Sequence, residues 1–242
     1  IMALPKIDAP IYELDLPLSK KHIRFRPFLV KEQRNLLMAM ESDDRDTIEK
    51  NIKQVLHNCT LTPDVNIDKL PISDVELYFL NLRARSVGEI VENKYRCENV
   101  VDDKTCGNLM ESKLNLLDIK VDMSGAVDGN IQLTDKIVLK MVYPEFSFLE
   151  RVGKMNSASD IAFGMIVDCI ESIFDGEQFY YASETSKEEL TEFVESLNQE
   201  QFSKIEAFFE SMPKLNKTVQ MTCGKCGFNH NIEVEGLESF FG

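Results

Sequence analysis

Cys223-Gly224-Lys225-Cys226-Gly227, read together with Cys97-Glu98-Asn99-Val100-Val101-Asp102-Asp103-Lys104-Thr105-Cys106-Gly107, decides how this chain folds. Two thiols separated by two residues let backbone amides turn around a metal ion, and glycine allows the tight path around the sulfurs. The first turn is looser, its cysteines standing nine positions apart, but the residues between them form a polar loop. Cys97, Cys106, Cys223 and Cys226 together make the tetrathiolate set that a structural zinc ion requires. Such an ion clips distant segments into one unit, and its binding energy becomes folding energy. Closing the chain between Cys106 and Cys223 costs entropy that grows only logarithmically with loop length.

Rival readings use the same thiols. His230 could replace one cysteine, or the set could hold iron and sulfur. Disulfide exchange fits less well, because a redox pair sits at a helix N-terminus, whereas Cys226 runs into Gly227, Phe228, Asn229 and an alternating, strand-like segment. The remaining two cysteines have simpler roles. Cys169 lies in an apolar run and reads as a buried small hydrophobe, and Cys59 falls at a helix end near His57.

Outward from the turns, Val219 to Met221 and Ile232 to Val234 alternate and predict a strand, knuckle and strand. Residues Val91 to Met141 hold short alternating runs broken by Asp, Asn and Gly, which predicts a strand-rich insertion. Between and before these lie helical patterns. Lys31 to Met40 and Asp46 to His57 carry apolar residues at helix spacing, and Ser73 with Glu76 reads as a capping box. Glu145 to Val152, Ala158 to Phe174, a helix opened by Ser186 with Glu189, and Gln201 to Met212 continue the series. The segment Pro5 to Pro27 mixes proline with alternation and predicts an extended arm or edge strand. The expected fold is α+β: a mainly helical body with a strand-rich, zinc-ribbon-like subdomain. Its parts are 1–90 (arm and helical body), 91–142 (insertion with the first cysteine turn), 143–213 (helical body continued) and 214–242 (C-terminal knuckle joining the insertion).

Composition narrows the function. Lys and Arg number 27 against 41 for Asp and Glu, a formal charge of -14. That balance repels a phosphate backbone, and no basic stripe offsets it, so nucleic-acid binding is not expected. There is no membrane-length apolar run and no signal pattern, which predicts a soluble chain made in the cytoplasm without stable membrane insertion. The three histidines do not form an acid–base constellation, the carboxylate clusters read as solvated surface, and no phosphate-binding loop occurs. The sequence predicts no catalytic residues and no nucleotide cofactor.

The stretch Ile23-Arg24-Phe25-Arg26-Pro27-Phe28-Leu29-Val30-Lys31-Glu32-Gln33, followed by Leu36-Leu37-Met38-Ala39 and Glu41-Ser42, resembles the N-terminal signature of the T-even-type phage baseplate protein family. The resemblance implies a protein of the baseplate hub, either a hub subunit or a factor that promotes hub assembly, with other hub proteins as partners. It places the chain in the virion tail baseplate or in the host cytoplasm during assembly, and it implies no established catalytic residues. Phe25 and Phe28 are then the expected interface anchors, with Arg24 and Arg26 orienting the contact by charge. The alternative is a zinc-stabilised host-interaction or regulatory binding protein.

Overall fold

The computed structural model describes residues 7–42, 44–152, 155 and 157–235. The expected arm starts at Pro5 and the expected last segment ends at Gly242, and both of those ends lie outside the described residues. In chain order, the elements begin with a hairpin of β1 (Tyr12–Asp15) and β2 (His22–Phe25), then helices α1 (Val30–Glu41), α2 (Arg45–Cys59) and α3 (Ile72–Ser86). Strands β3 (Ile90–Arg96), β4 (Val100–Val101), β5 (Lys104–Thr105), β6 (Leu109–Asn115), β7 (Lys120–Asp122), β8 (Asn130–Gln132) and β9 (Val138–Met141) follow. Helices α4 (Leu149–Val152) and α5 (Ala158–Asp168) lead to β10 (Ile170–Phe174) and β11 (Phe179–Tyr181). Helices α6 (Lys187–Glu195) and α7 (Gln199–Glu210) precede β12 (Lys214–Thr222) and β13 (Asn229–Glu235). The fold is mixed, with helices and several small antiparallel sheets.

The chain divides into two compact units, one of residues 1–67, 73–122 and 214–242 and one of residues 68–72 and 123–213. In the first unit, alternation along β2 sends Ile23 and Phe25 inward and His22 and Arg24 outward. Phe25 packs edge-on against Tyr78 of α3 at 5.3 Å, and Tyr78 is itself fully buried. Asp74, also fully buried, accepts the Leu18 and Ser19 backbone N–H groups at 3.1 and 2.7 Å and so ties the arm to the start of α3. Helix α3 begins at Ile72, one residue before the Ser73 expected as its cap. Strands β3 and β6 pair antiparallel from Ile90↔Asn115 to Arg96↔Leu109, and β12 pairs with both β13 and β7.

The second unit is built on a four-stranded sheet in the order β11-β10-β9-β8. Its core joins Ile131, Leu139 and Ile173 from the sheet to Ile166, Leu190, Val194, Ile205 and Phe208 from the helices. The sequence pattern predicts one helix from Ala158 to Phe174, but the helix stops at Cys169 and the last five residues form β10. A short apolar run reads equally as buried helix or buried strand. Here Ile170, Ile173 and Phe174 find partners in β9, with Ile173↔Leu139 and Phe174↔Val138 in register, and ladder pairing prevails. Asp175 and Gly176 lie in the turn of the β10–β11 hairpin. The boxes that cap α6 and α7 form at Ser186 with Glu189 and at Asn198 with Gln201.

Candidate metal centre

Each pair of thiols sits at the bend of a β-hairpin. Strands β3 and β6 carry Cys97 and Cys106 at their connection, and β12 and β13 carry Cys223 and Cys226 at theirs. The two connections share one hydrogen-bond plan. Gly227 N–H donates to the Cys223 carbonyl at 2.8 Å, and Gly107 N–H donates to the Cys97 carbonyl at 3.0 Å. Cys223 N–H donates to the Phe228 carbonyl and Cys97 N–H to the Asn108 carbonyl, both at 2.8 Å. The glycine after the second cysteine adopts positive φ in both, +64° at Gly107 and +74° at Gly227. The first turn is therefore the second with a small hairpin inserted. Cys106 N–H reaches the Asn99 carbonyl at 2.8 Å, closing the β4–β5 hairpin of Val100 to Thr105. With those residues removed, Cys97-Glu98-Asn99 joins Cys106-Gly107 directly and reproduces the spacing of Cys223 to Gly227. Asp102 and Asp103, at φ of 49° and 57°, make the tight reversal at the hairpin tip.

The four thiols converge. All four sulfurs lie within 4.8 Å of one another, Cys97 and Cys226 at 3.6 Å and Cys106 and Cys223 at 3.8 Å. A tetrahedron with metal–sulfur distances of about 2.3 Å has edges of about 3.8 Å. A disulfide needs about 2.05 Å, and all four cysteines are free. The set can hold a metal ion, and all four corners are filled by protein sulfur. Cys97 and Cys223 are buried with Met110, against Tyr95 and Met221.

Donors surround the sulfurs, as a charged thiolate cluster requires. Asn99 and Asn108 direct their side-chain amides at Cys226 and Cys223, at 3.6 and 3.5 Å. His230 Nε2 lies 3.2 Å from the Cys97 sulfur, and Lys225 Nζ donates to the Cys106 carbonyl at 3.1 Å. Backbone amides of Cys226 and Lys225 draw the Cys223 thiol down to about 6. The Phe228 amide likewise lowers Cys226, while burial pushes Cys97 up to about 12. The second knuckle thus favours thiolate, the form that binds metal. His230 stands beside the cluster, and the four cysteine sulfurs are the candidate ligand atoms that lie within 4.8 Å of one another. The two asparagines were not singled out from sequence. The repeated Cys-Gly ending was the visible hint that the two turns are equivalent.

The residues expected at an interface sit elsewhere in the first unit, and two of them are interior. Phe25 is 1 % exposed and Phe28 is buried, because β2 alternation and the Phe28 N–H bond to Ser86 Oγ at 3.0 Å turn this segment inward. Arg26 bonds the carbonyls of Pro27 and Asn58 and the buried carboxylate of Glu32, the last at 3.1 Å. Burial opposes ionisation of Glu32, but the Leu29 amide and Arg26 outweigh it and hold the carboxyl below its usual range. Arg24 is the member on the surface, 3.8 Å from Glu13. In the second unit, a cleft of about 470 Å³ is lined by Arg151, Phe163, Asp168, Lys187 and Thr191 among others. Arg151 and Lys187 both contact Asp168, and Asp160 and Glu195 also line the cleft, so its two cations share the wall with three carboxylates.

The fold and the site define a protein whose best-formed constellation, among the described residues, is a set of four cysteines from two β-hairpins that could hold a metal ion. The chain belongs to the T4 bacteriophage base plate protein family, whose model matches residues 9–242. That membership implies a phage-tail context and contacts with other baseplate components. Neither the curated proteins nor the solved structures compared with the chain gave a match.

Proposed function

We propose that this chain is a structural or assembly protein of the baseplate hub of a contractile-tailed phage, acting through protein–protein contacts, with Zn2+ held by Cys97, Cys106, Cys223 and Cys226. The observation that carries the reading is the combination of a near full-length baseplate family match with a metal cradle that leaves no corner open. A catalytic zinc keeps one position for water or substrate, and a structural one does not. The two facing hairpins then act as a zinc-ribbon-like subdomain, and the ion does no chemistry. Thiolate softness and tetrahedral spacing favour zinc over harder cations.

The hub contact draws on the exposed side of the β1–β2 hairpin, with Arg24 as its charged element; Phe25, Phe28 and Arg26 hold that hairpin in place from beneath. Among the described residues no helix is long and apolar enough to cross a membrane, so attachment through the protein partners is the mode that fits. The test is native mass spectrometry of the purified chain mixed with baseplate hub proteins. One zinc per chain in a complex of defined mass, weakened by Arg24→Glu with the monomer still folded, is the expected result. A zinc-bound chain that joins no hub protein would contradict the hub assignment.

A further inference from the structure

Strand β11 closes one side of the second unit's sheet and pairs with β10. Its three residues are all exposed aromatics, Phe179 at 58 %, Tyr180 at 42 % and Tyr181 at 48 %. The bonds from Asp175 N–H to the Gln178 carbonyl and from Ala182 N–H to the Glu171 carbonyl set the phase of the ladder. With Ile173↔Tyr180 between them, Phe179 and Tyr181 direct their main-chain groups away from β10, toward the open edge. The Tyr181 carbonyl is taken by Glu184 N–H and Thr185 Oγ1, both at 2.9 Å. The Phe179 N–H and carbonyl and the Tyr181 N–H remain as edge positions. On one face the side chains form a row, Phe174 to Phe179 at 4.7 Å and Phe179 to Tyr181 at 6.0 Å.

Edge strands of soluble proteins are ordinarily blunted by lysine, proline, a bulge or a covering loop, and β11 itself carries neither lysine nor proline. Its surroundings are acidic. From Ile170 to Thr185 the chain holds Glu171, Asp175, Glu177 and Glu184 and no lysine, arginine or histidine. Glu171, Glu177 and Glu184 are exposed, and Asp175 is held anionic by the Gln178 and Glu177 amides. Among the cations nearby in the fold or chain, Lys136 lies with its side chain against the Gly176 turn, Lys140 of β9 is bonded to the Asp128 carbonyl, and Lys187 contacts Asp168.

We propose that β11 is a docking edge for an extended, lysine- or arginine-bearing segment of another protein, which joins the sheet as an added strand. Main-chain bonds to Phe179 and Tyr181 set its register, alternate apolar side chains cover the aromatic row, and its cations meet Glu171, Glu177 and Glu184. A second copy of this chain is the poorer occupant, because it brings the same carboxylates face to face.

The test uses the full chain with a short end-capped peptide of alternating lysine and valine, and a control in which glutamate replaces lysine. The lysine peptide should bind, slow amide exchange at Phe179 and Tyr181 about tenfold or more, and weaken as salt rises; the glutamate peptide should not bind. Phe179→Pro removes an outward N–H that the β10 ladder does not use and should abolish binding. Should that variant disturb the hairpin, the pair Glu177→Lys and Glu184→Lys keeps the backbone and should cost about tenfold in affinity. Equal binding of both peptides, protection away from β11, or self-association abolished by the same variants would each overturn the proposal.

Discussion

The hairpin pair around the four thiols and the core of the second unit solve the same problem by different means. The second unit packs Leu139, Ile170, Ile205 and Phe208 into one continuous apolar interior, and its sheet needs no cross-link. Around the knuckles, the buried set is Cys97, Met110 and Cys223, with Tyr95, Cys106, Met221 and Cys226 against it. That is too little apolar surface to fix two hairpins, and the sulfurs occupy the place where leucines would otherwise stand. Where sequence can bury enough hydrocarbon, packing suffices; around the knuckles, the proposed metal ion would supply the missing folding energy.

Loss of the proposed metal ion should separate the two regions most. Chelation, or Cys223→Ser, should strip hydrogen-exchange protection from β3, β6, β12 and β13 while β9 and β10 keep theirs, because structural zinc contributes on the order of 10 kcal/mol in small domains. Uniform loss across both units would show that the two are not stabilised separately. The converse substitution, Leu139→Ala, removes a fully buried side chain from the second core. It should cost about 2–5 kcal/mol in denaturant unfolding and leave the metal content unchanged.

Glu76 of α3 sharpens the comparison, since it lies in the first unit and reports its packing without touching the thiols. Burial raises its carboxyl from 4.5 to about 7. The folded protein therefore holds this proton more tightly than the unfolded chain, so the group favours folding below about pH 4.5, and stability falls as pH rises through about 7. Glu76→Gln should stabilise the protein at pH 8 by up to roughly 3 kcal/mol and change little at pH 4. An equal effect at both pH values would exclude titration as the cause. A smaller change is expected from Asn108→Ala, which deletes the amide aimed at the Cys223 sulfur. Competition with a chelator should show metal affinity about tenfold weaker, with unfolding of the second core unaffected. Gly227→Ala comes last, at about 1 kcal/mol. Open space surrounds the position, so the cost is that of a left-handed backbone alone, and asparagine there should be milder.

The elements that were legible in the sequence are those whose signal is local. Alternation gave the strands around the second knuckle, and the Ser186–Glu189 box gave the start of α6. The meeting of the four cysteines was legible because paired thiols in polar, glycine-marked turns have few other uses. The break of the Ala158–Phe174 run into α5 and β10 was not, since it is decided by ladder pairing with β11 and with β9, the latter distant in sequence. Phe25 and Phe28 misled for a related reason. Their apolar character says that they bury, and whether they bury inside the chain or against a neighbour depends on Tyr78 and Ser86 lying above them. The equivalence of the two turns was hidden by the inserted β4–β5 hairpin and emerges only from the matched bonds at Gly107 and Gly227.

Four thiols from two hairpins are proposed here to hold one metal ion. X-ray absorption at the zinc edge of the purified chain, with the metal quantified on the same sample, tests it most directly. The account predicts one zinc per chain in a shell of four sulfurs at about 2.3 Å. A shell containing nitrogen or oxygen, or a metal-free chain whose cysteines are paired as disulfides, would contradict it.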